Sequence, residues 1–256
     1  MKKLTSILIN GGTHGTESLG QRVIASLKEL DLSKGRVDFM IANERAVKER
    51  KRFIESDLNR SFPGRKDGTY EERLAHQLLP RIKSYDVVID VHSTESELKS
   101  CVIVTKLDAE TMKVVKATNA KNVLYMKATE KNALISNARI GIGLEFGKDR
   151  STKTFKDTRN AILLILQHFK ILDRSGLNPE QKKLFLEVYA TVPKPRGFRL
   201  TKGVENLKVF KKGEVYGFNP SNKTEIKATQ DFYPVLFGEK RYKDIFGFSA
   251  KKLNDN

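Results

Sequence analysis

The chain has 256 residues, enough for one domain of ordinary size or one domain with a small appendage. An apolar fraction of 39% argues for a sizeable core and against disorder, and the single cysteine, Cys101, excludes an intramolecular disulfide, as expected of a cytoplasmic protein. A net charge of +17 raises nucleic-acid binding, but the basic residues are scattered apart from a cluster at Lys48–Arg52, and no zinc knuckle, helix-turn-helix or RNA-binding aromatic motif accompanies them; the same field serves equally to draw in small anions.

Residues 4–10 read as a buried strand closed by a turn at Gly11-Gly12. This apolar stretch is too short for a signal peptide, and the longest apolar run, Ala161–Leu166, is too short to span a bilayer, so no membrane segment is expected. Apolar residues at Leu19, Val23, Ile24, Leu27 and Leu30 have helical spacing over Ser18–Leu30. Val37–Ala42 reads as a second strand. A helix follows over Tyr70–Ile82, with Pro80 expected to kink it or end it early. Asp86–Val91 is apolar enough for a strand buried on both faces. Cys101–Val104, Val123–Met126 and Ile140–Phe146 read as further strands, and Thr154–Leu172 as a long helix. This alternation predicts an α/β core with a mixed, largely parallel sheet flanked by helices.

The texture changes after a polar connector over residues 173–181. Short strand-like pieces at Leu184–Val192, Val209-Phe210, Glu214–Phe218 and Tyr233–Phe237 predict a small β-rich C-terminal subdomain. The expected division is a catalytic domain over residues 1–175 and this subdomain over residues 183–256.

The polar features of the first part fall near strand ends, where open α/β sheets place their ligands. In Gly11-Gly12-Thr13-His14-Gly15-Thr16-Glu17, the glycines permit a turn sharp enough to bring imidazole and carboxylate onto one ion. His92 follows another apolar strand, in Asp90-Val91-His92-Ser93-Thr94. Two histidines and a glutamate leave a fourth position for water, the pattern of catalytic rather than structural zinc. Alone, a turn histidine or an H-x-x-E pair carries little weight; the argument lies in several polar clusters recurring at separate strand ends. One is the basic stretch Lys51–Gly64, where Arg52, Asn59 and Arg60 offer the forked donors that bind carboxylates. Another is Glu145, isolated among glycines and apolar residues in Gly141–Gly147, where burial without a partner is costly.

Together these motifs resemble the succinylglutamate desuccinylase/aspartoacylase family, relatives of the zinc carboxypeptidases. The family's GGTHGNE motif stands here as Gly11–Glu17 with Thr16 at its usual Asn, its DLNR-x-F motif as Asp57–Phe62, its D-x-H-x-T histidine as His92, and its strand glutamate as Glu145. The resemblance implies a carboxypeptidase-like fold and one zinc ion per chain held by His14, Glu17 and His92. It implies Glu145 as general base and then acid, Arg52 as stabiliser of the oxyanion, Asn59 and Arg60 as holders of the substrate carboxylate, and Tyr242 as a substrate contact. The chain departs from aspartoacylases at Ile135, which stands where they carry an arginine ten residues before the glutamate; Arg139 is the nearest replacement.

The expected activity is zinc-dependent hydrolysis of an N-acyl amino acid or a similar small carboxylate-bearing amide. The rival readings are a zinc carboxypeptidase acting on a peptide C-terminus, and a basic nucleic-acid or anion-binding protein with a vestigial metal site. A homo-oligomer is compatible with the sequence.

Overall fold

The computed structural model describes residues 5–253, apart from 97, 99, 128–130, 174, 175, 177, 181 and 241. Leu4 of the first expected strand and parts of the connector lie outside the described residues.

In the first part, strands and helices alternate: β1 Ser6–Gly11, α1 Leu19–Leu27, β2 Arg36–Ile41, α2 Glu44–Glu49, α3 Tyr70–Lys83, β3 Val87–His92, β4 Cys101–Val104, α4 Ala109–Lys116, β5 Asn122–Tyr125, β6 Ile140–Glu145 and α5 Thr152–His168. The rest is β7 Leu184–Pro193, β8 Arg199–Leu200, β9 Val215–Asn219, β10 Thr224–Lys227, β11 Tyr233–Val235 and β12 Ile245–Lys252. One nine-stranded sheet runs in the order β11-β12-β7-β5-β4-β6-β3-β1-β2, and a three-stranded antiparallel sheet, β10-β9-β8, stands apart. The large sheet is mixed: β2-β1-β3-β6 are parallel, β4 runs antiparallel to β6, β5 and β7 are parallel to β4, and β12 and β11 each reverse again.

The inner strands are apolar on both faces because both are covered. Alternation sends Ile7, Ile9, Val87 and Ile89 into the core beneath α1 and α5, while Leu8 and Val88 pack with Leu58, Ala75 and Ile82 on the α3 side. The second sheet closes on its own aromatic cluster, in which Phe232, Phe237 and Phe246 are buried against Tyr216 and Phe210.

The mixed α/β sheet and the small C-terminal β-sheet agree with the sequence reading; the details differ in places. α3 runs through Pro80 to Lys83, because a proline this near the helix end forfeits only one backbone bond. The short helices α2 and α4 were not expected, being brief and strongly charged. Phe210 forms only an isolated bridge with Phe232 instead of a strand. β7, β12 and β11 lengthen the large sheet beyond β5, a pairing that no local pattern announces.

Candidate active site

Three adjacent parallel strands end along one edge of the sheet, and each delivers a polar residue there: β1 leads into His14 and Glu17, β3 ends on His92, and β6 ends on Glu145. His92 and Glu145 are paired in register, so their backbones are fixed side by side.

The turn after β1 folds back tightly enough for Glu17 N–H to reach the His14 carbonyl at 3.1 Å. Gly15 is required there, since its N–H bonds the Arg52 carbonyl at 3.1 Å and a Cβ would collide with the backbone of Ala46 and Lys51. The loop carrying Arg52 is thereby pressed against the turn carrying His14.

His14, Glu17 and His92 are each about 95% buried, and one donor atom from each lies within 4.8 Å of the others. His14 Nδ1 is 2.8 Å from Glu17 Oε1, and His92 Nδ1 is 3.2 Å from Glu17 Oε2. The other nitrogen of each ring is held by a carboxylate: His14 Nε2 lies 3.0 Å from Asp57 Oδ1 and His92 Nε2 lies 2.8 Å from Asp90 Oδ2. Such bracing turns the Nδ1 of both rings toward the Glu17 carboxylate. Asp90 is itself fixed by Asn10 Nδ2 at 2.7 Å and the Thr13 hydroxyl at 2.8 Å.

The donors fit a divalent cation. Among the described residues His14 Nδ1 makes no hydrogen bond despite its 2.8 Å approach to Glu17, as expected of two lone pairs aimed at a common ion. Two imidazoles and one carboxylate suit zinc. The buried groups also act strongly on one another. Burial pushes the Glu17 carboxyl up, but the adjacent His14 and His92 outweigh it and hold it well below the ordinary carboxylate range. Burial pushes His92 down, and the charges of Asp90 and Glu17 lift it well above its usual value. Asp57 and Asp90 are likewise held low by the imidazoles against the effect of burial.

Arg52 donates to Glu17 Oε1 at 3.0 Å and to Asp57 Oδ2 at 3.4 Å, which fixes its guanidinium at the edge of the donor cluster. Asn59 and Arg60 lie in a short 3-10 helix, Leu58–Arg60, capped by the Asp57 carboxylate. Arg60 Nη1 donates to the Asn59 carbonyl at 2.7 Å, and Asn59 Oδ1 accepts the Leu134 N–H at 3.0 Å. Tyr242 comes from the C-terminal part, its ring set edge-on to Phe248; burial pushes its hydroxyl pKa up to about 12, so it stays a donor at any physiological pH. His14, Arg52, Asn59, Arg60, His92, Glu145 and Tyr242 all line one cavity of about 90 Å³. Glu17 lines an adjoining recess of about 30 Å³ with His14, Arg52, Glu145 and Tyr242. A larger cavity, about 510 Å³, lies around Phe146, Lys121 and Lys153 and contains none of these residues.

Every residue singled out from the sequence thus converges on one place, except Arg139, whose guanidinium is tied to Asp86 at 3.2 Å and Glu110 at 2.8 Å away from the cavity. Ile135 does line it. Four carboxylates escaped sequence reasoning. The roles of Asp57 and Asp90 were hidden inside motifs read for their neighbours. Glu71, fully buried, accepts the N–H groups of Ile54 at 2.6 Å, Glu55 at 3.0 Å and Ser56 at 2.9 Å and the Asn43 amide at 3.1 Å, and so holds the loop between Arg52 and Asp57. Glu239 accepts the N–H groups of Glu95 and Ser96 at 2.8 and 2.6 Å, which pins the segment carrying Tyr242 to the chain just past His92. Neither carries an advance signal in the sequence, since Glu71 is followed by Glu72 and Arg73 and Glu239 by Lys240 and Arg241.

The catalytic-domain model of succinylglutamate desuccinylases and aspartoacylases matches residues 3–169. A probable aspartoacylase of Acaryochloris marina is 25% identical over 206 residues, spanning 72% of this chain and 70% of that protein. An N-acyl-aromatic-L-amino acid amidohydrolase (carboxylate-forming) of Xenopus laevis is 29% identical over 120 residues, 41% of this chain and 39% of its own. The fold is similar to the crystal structure of murine aminoacylase 3, with a TM-score of 0.81, 18% identity and coverage of 99% of this chain and 97% of that one.

Proposed function

The chain belongs to the succinylglutamate desuccinylase/aspartoacylase family, and from that premise we propose that it is a zinc-dependent amidohydrolase that removes the acyl group from an N-acyl amino acid or a similar small carboxylate-bearing amide. The observation that carries this reading is the convergence of His14, Glu17 and His92 donors within 4.8 Å on the strand edge where Glu145 ends the neighbouring strand.

The chemistry a zinc ion supplies when bound to such a trio is Lewis acidity toward a carbonyl oxygen and a lowered pKa for water. The chain's own residues account for the rest. Glu145 takes the proton of the attacking water and passes it to the departing amine nitrogen. Arg52, held rigid by Glu17 and Asp57, offers positive charge where the carbonyl oxygen becomes an oxyanion, an effect typically worth about 3 kcal/mol. Arg60 and the Asn59 amide clamp the substrate's carboxylate, and Tyr242 donates a hydrogen bond from the C-terminal side.

We read residues 1–175 as the catalytic part and residues 183–256 as the β-rich part that narrows the site, since Leu236 and Tyr242 line the cavity. A cavity of about 90 Å³ favours a small acylated amino acid over a peptide. The absence of a long apolar helix among the described residues is compatible with a cytoplasmic enzyme.

The test is amine release from a panel of N-acyl amino acids by zinc-loaded protein, with chelator-treated and Glu145→Gln protein as controls. Release abolished in both controls is expected. Release that survives in both would mean that another site does the chemistry.

A further inference from the structure

We infer that this pocket selects N-acyl amino acids whose side chain is neutral and apolar and rejects those with an acidic side chain, an inference that rests on the amidohydrolase reading and names the substrates within it. Beyond the donor cluster and the carboxylate clamp, the cavity wall is formed chiefly by Ile103, Met126, Ala133, Ile135 and Leu236, with Thr105 as an uncharged polar neighbour. Met126, Ala133, Ile135 and Leu236 are all buried, so this wall is a preformed apolar surface.

Its position relative to the clamp is fixed. Ile135 sits in a short 3-10 helix, Leu134–Asn137, whose Leu134 N–H is bonded to the Asn59 side chain at 3.0 Å. On its other side the Ile135 carbonyl occupies the space that a Cβ on Gly141 of β6 would need. Ile135 is therefore locked next to Asn59, and a substrate carboxylate held by Asn59 and Arg60 directs the side chain of the same α-carbon onto Ile135 and its apolar neighbours.

Arg52 and Arg60 are the only lysine or arginine residues lining the cavity among the described residues. Glu17 and Asp57 already engage Arg52, which leaves Arg60 to answer one carboxylate. A second carboxylate on the apolar wall would lose its water without gaining a cation, and it would face the charge of Glu145. Arg139 does not help, being committed to Asp86 and Glu110.

The experiment has two arms. The zinc-loaded enzyme is assayed for kcat/KM on N-acetyl-L-leucine, N-acetyl-L-methionine, N-acetyl-L-aspartate and N-acetyl-L-glutamate. Binding of the leucine and aspartate compounds to zinc-loaded Glu145→Gln protein is measured by calorimetry. The neutral compounds are expected to exceed the acidic ones by roughly 100-fold in kcat/KM, with the same order in the calorimeter. In Ile135→Arg, or in Ile135→Gln should the arginine prevent folding, the gap is expected to shrink about 10-fold. Acidic compounds turned over as well as or better than neutral ones would overturn the inference and leave the amidohydrolase standing. No turnover by any compound would sink the amidohydrolase reading instead. Calorimetry then decides the inference: leucine compound bound over aspartate compound sustains it, and equal, reversed or undetectable binding of the two ends it.

Discussion

His14, Glu17 and His92 come from the ends of two adjacent strands, β1 and β3, and each imidazole is braced by its own buried or half-buried carboxylate, Asp90 or Asp57. Leu236 and Tyr242, across the same cavity, come from the chain after β11, and the residue that ties this segment down, Glu239, bonds partners 143 and 144 positions away. In the donor half each ligand stands at or just past the end of a sheet strand, although Glu17 and His92 are 75 residues apart; the covering half consists of loop residues tied down by Glu239. The first carries the metal-binding chemistry, and the second closes the cavity over the substrate. Variants in the two halves should therefore fail in different ways.

The largest effect is expected from the donors. Glu17→Gln or His92→Ala should lose stoichiometric zinc and bring activity to background, as read by metal analysis and amine release. Full zinc content in either variant would remove the cluster from consideration. Next comes Glu145→Gln, which should keep its zinc while kcat falls by about 10² to 10⁴; a loss of metal in this variant would blur the line between ligand and base.

Asp57→Asn and Asp90→Asn should each weaken zinc binding by about 10- to 100-fold while leaving the fold intact, measured by competition with a chelator. Glu71→Gln sharpens the comparison further, because Glu71 braces the Arg52 loop without touching the donors. Replacing one charged acceptor among its four bonds should cost about 1–3 kcal/mol of stability. Burial raises the Glu71 carboxyl pKa, but the N–H groups of Ile54, Ser56 and Glu55 and the Asn43 amide leave it net lowered. A lowered folded-state pKa means a contribution that is present above the unfolded value, about 4.3, and lost as pH falls through the folded one. Denaturant titrations of wild-type protein should accordingly show acid destabilisation below about pH 4 that is shallower in Glu71→Gln; parallel curves would contradict this role. The smallest effect belongs to the covering half: Tyr242→Phe should raise KM about 5- to 10-fold, the equivalent of one hydrogen bond, with kcat nearly unchanged.

The same division explains what the sequence made legible. Strands β1, β3 and β6 are largely apolar runs ending in Gly11, His92 and Glu145, so both their existence and the placement of His14, His92 and Glu145 at or just past their ends followed from local pattern. The nine-strand order did not, because β7 and β12 join the large sheet through partners more than 50 residues apart in the chain, and β12 carries Gly247 and a lysine tail that disguise it as a loop. Asp57 and Asp90 were visible as letters but not as braces, since the distance from a carboxylate to an imidazole nitrogen depends on how the loop folds back. Glu71 was the least legible: it stands in the first turn of α3, where a solvated acidic residue is ordinary, and only the returning loop 54–56 makes it a buried acceptor.

The most direct test of the central claim is a titration of zinc into chelator-stripped protein, following hydrolysis of the best N-acyl amino acid. Activity should rise linearly and break at one equivalent per chain in wild-type protein, and stay flat in Glu17→Gln. Activity that survives stripping, or an equal recovery in Glu17→Gln, would contradict the assignment of His14, Glu17 and His92 as the catalytic metal site.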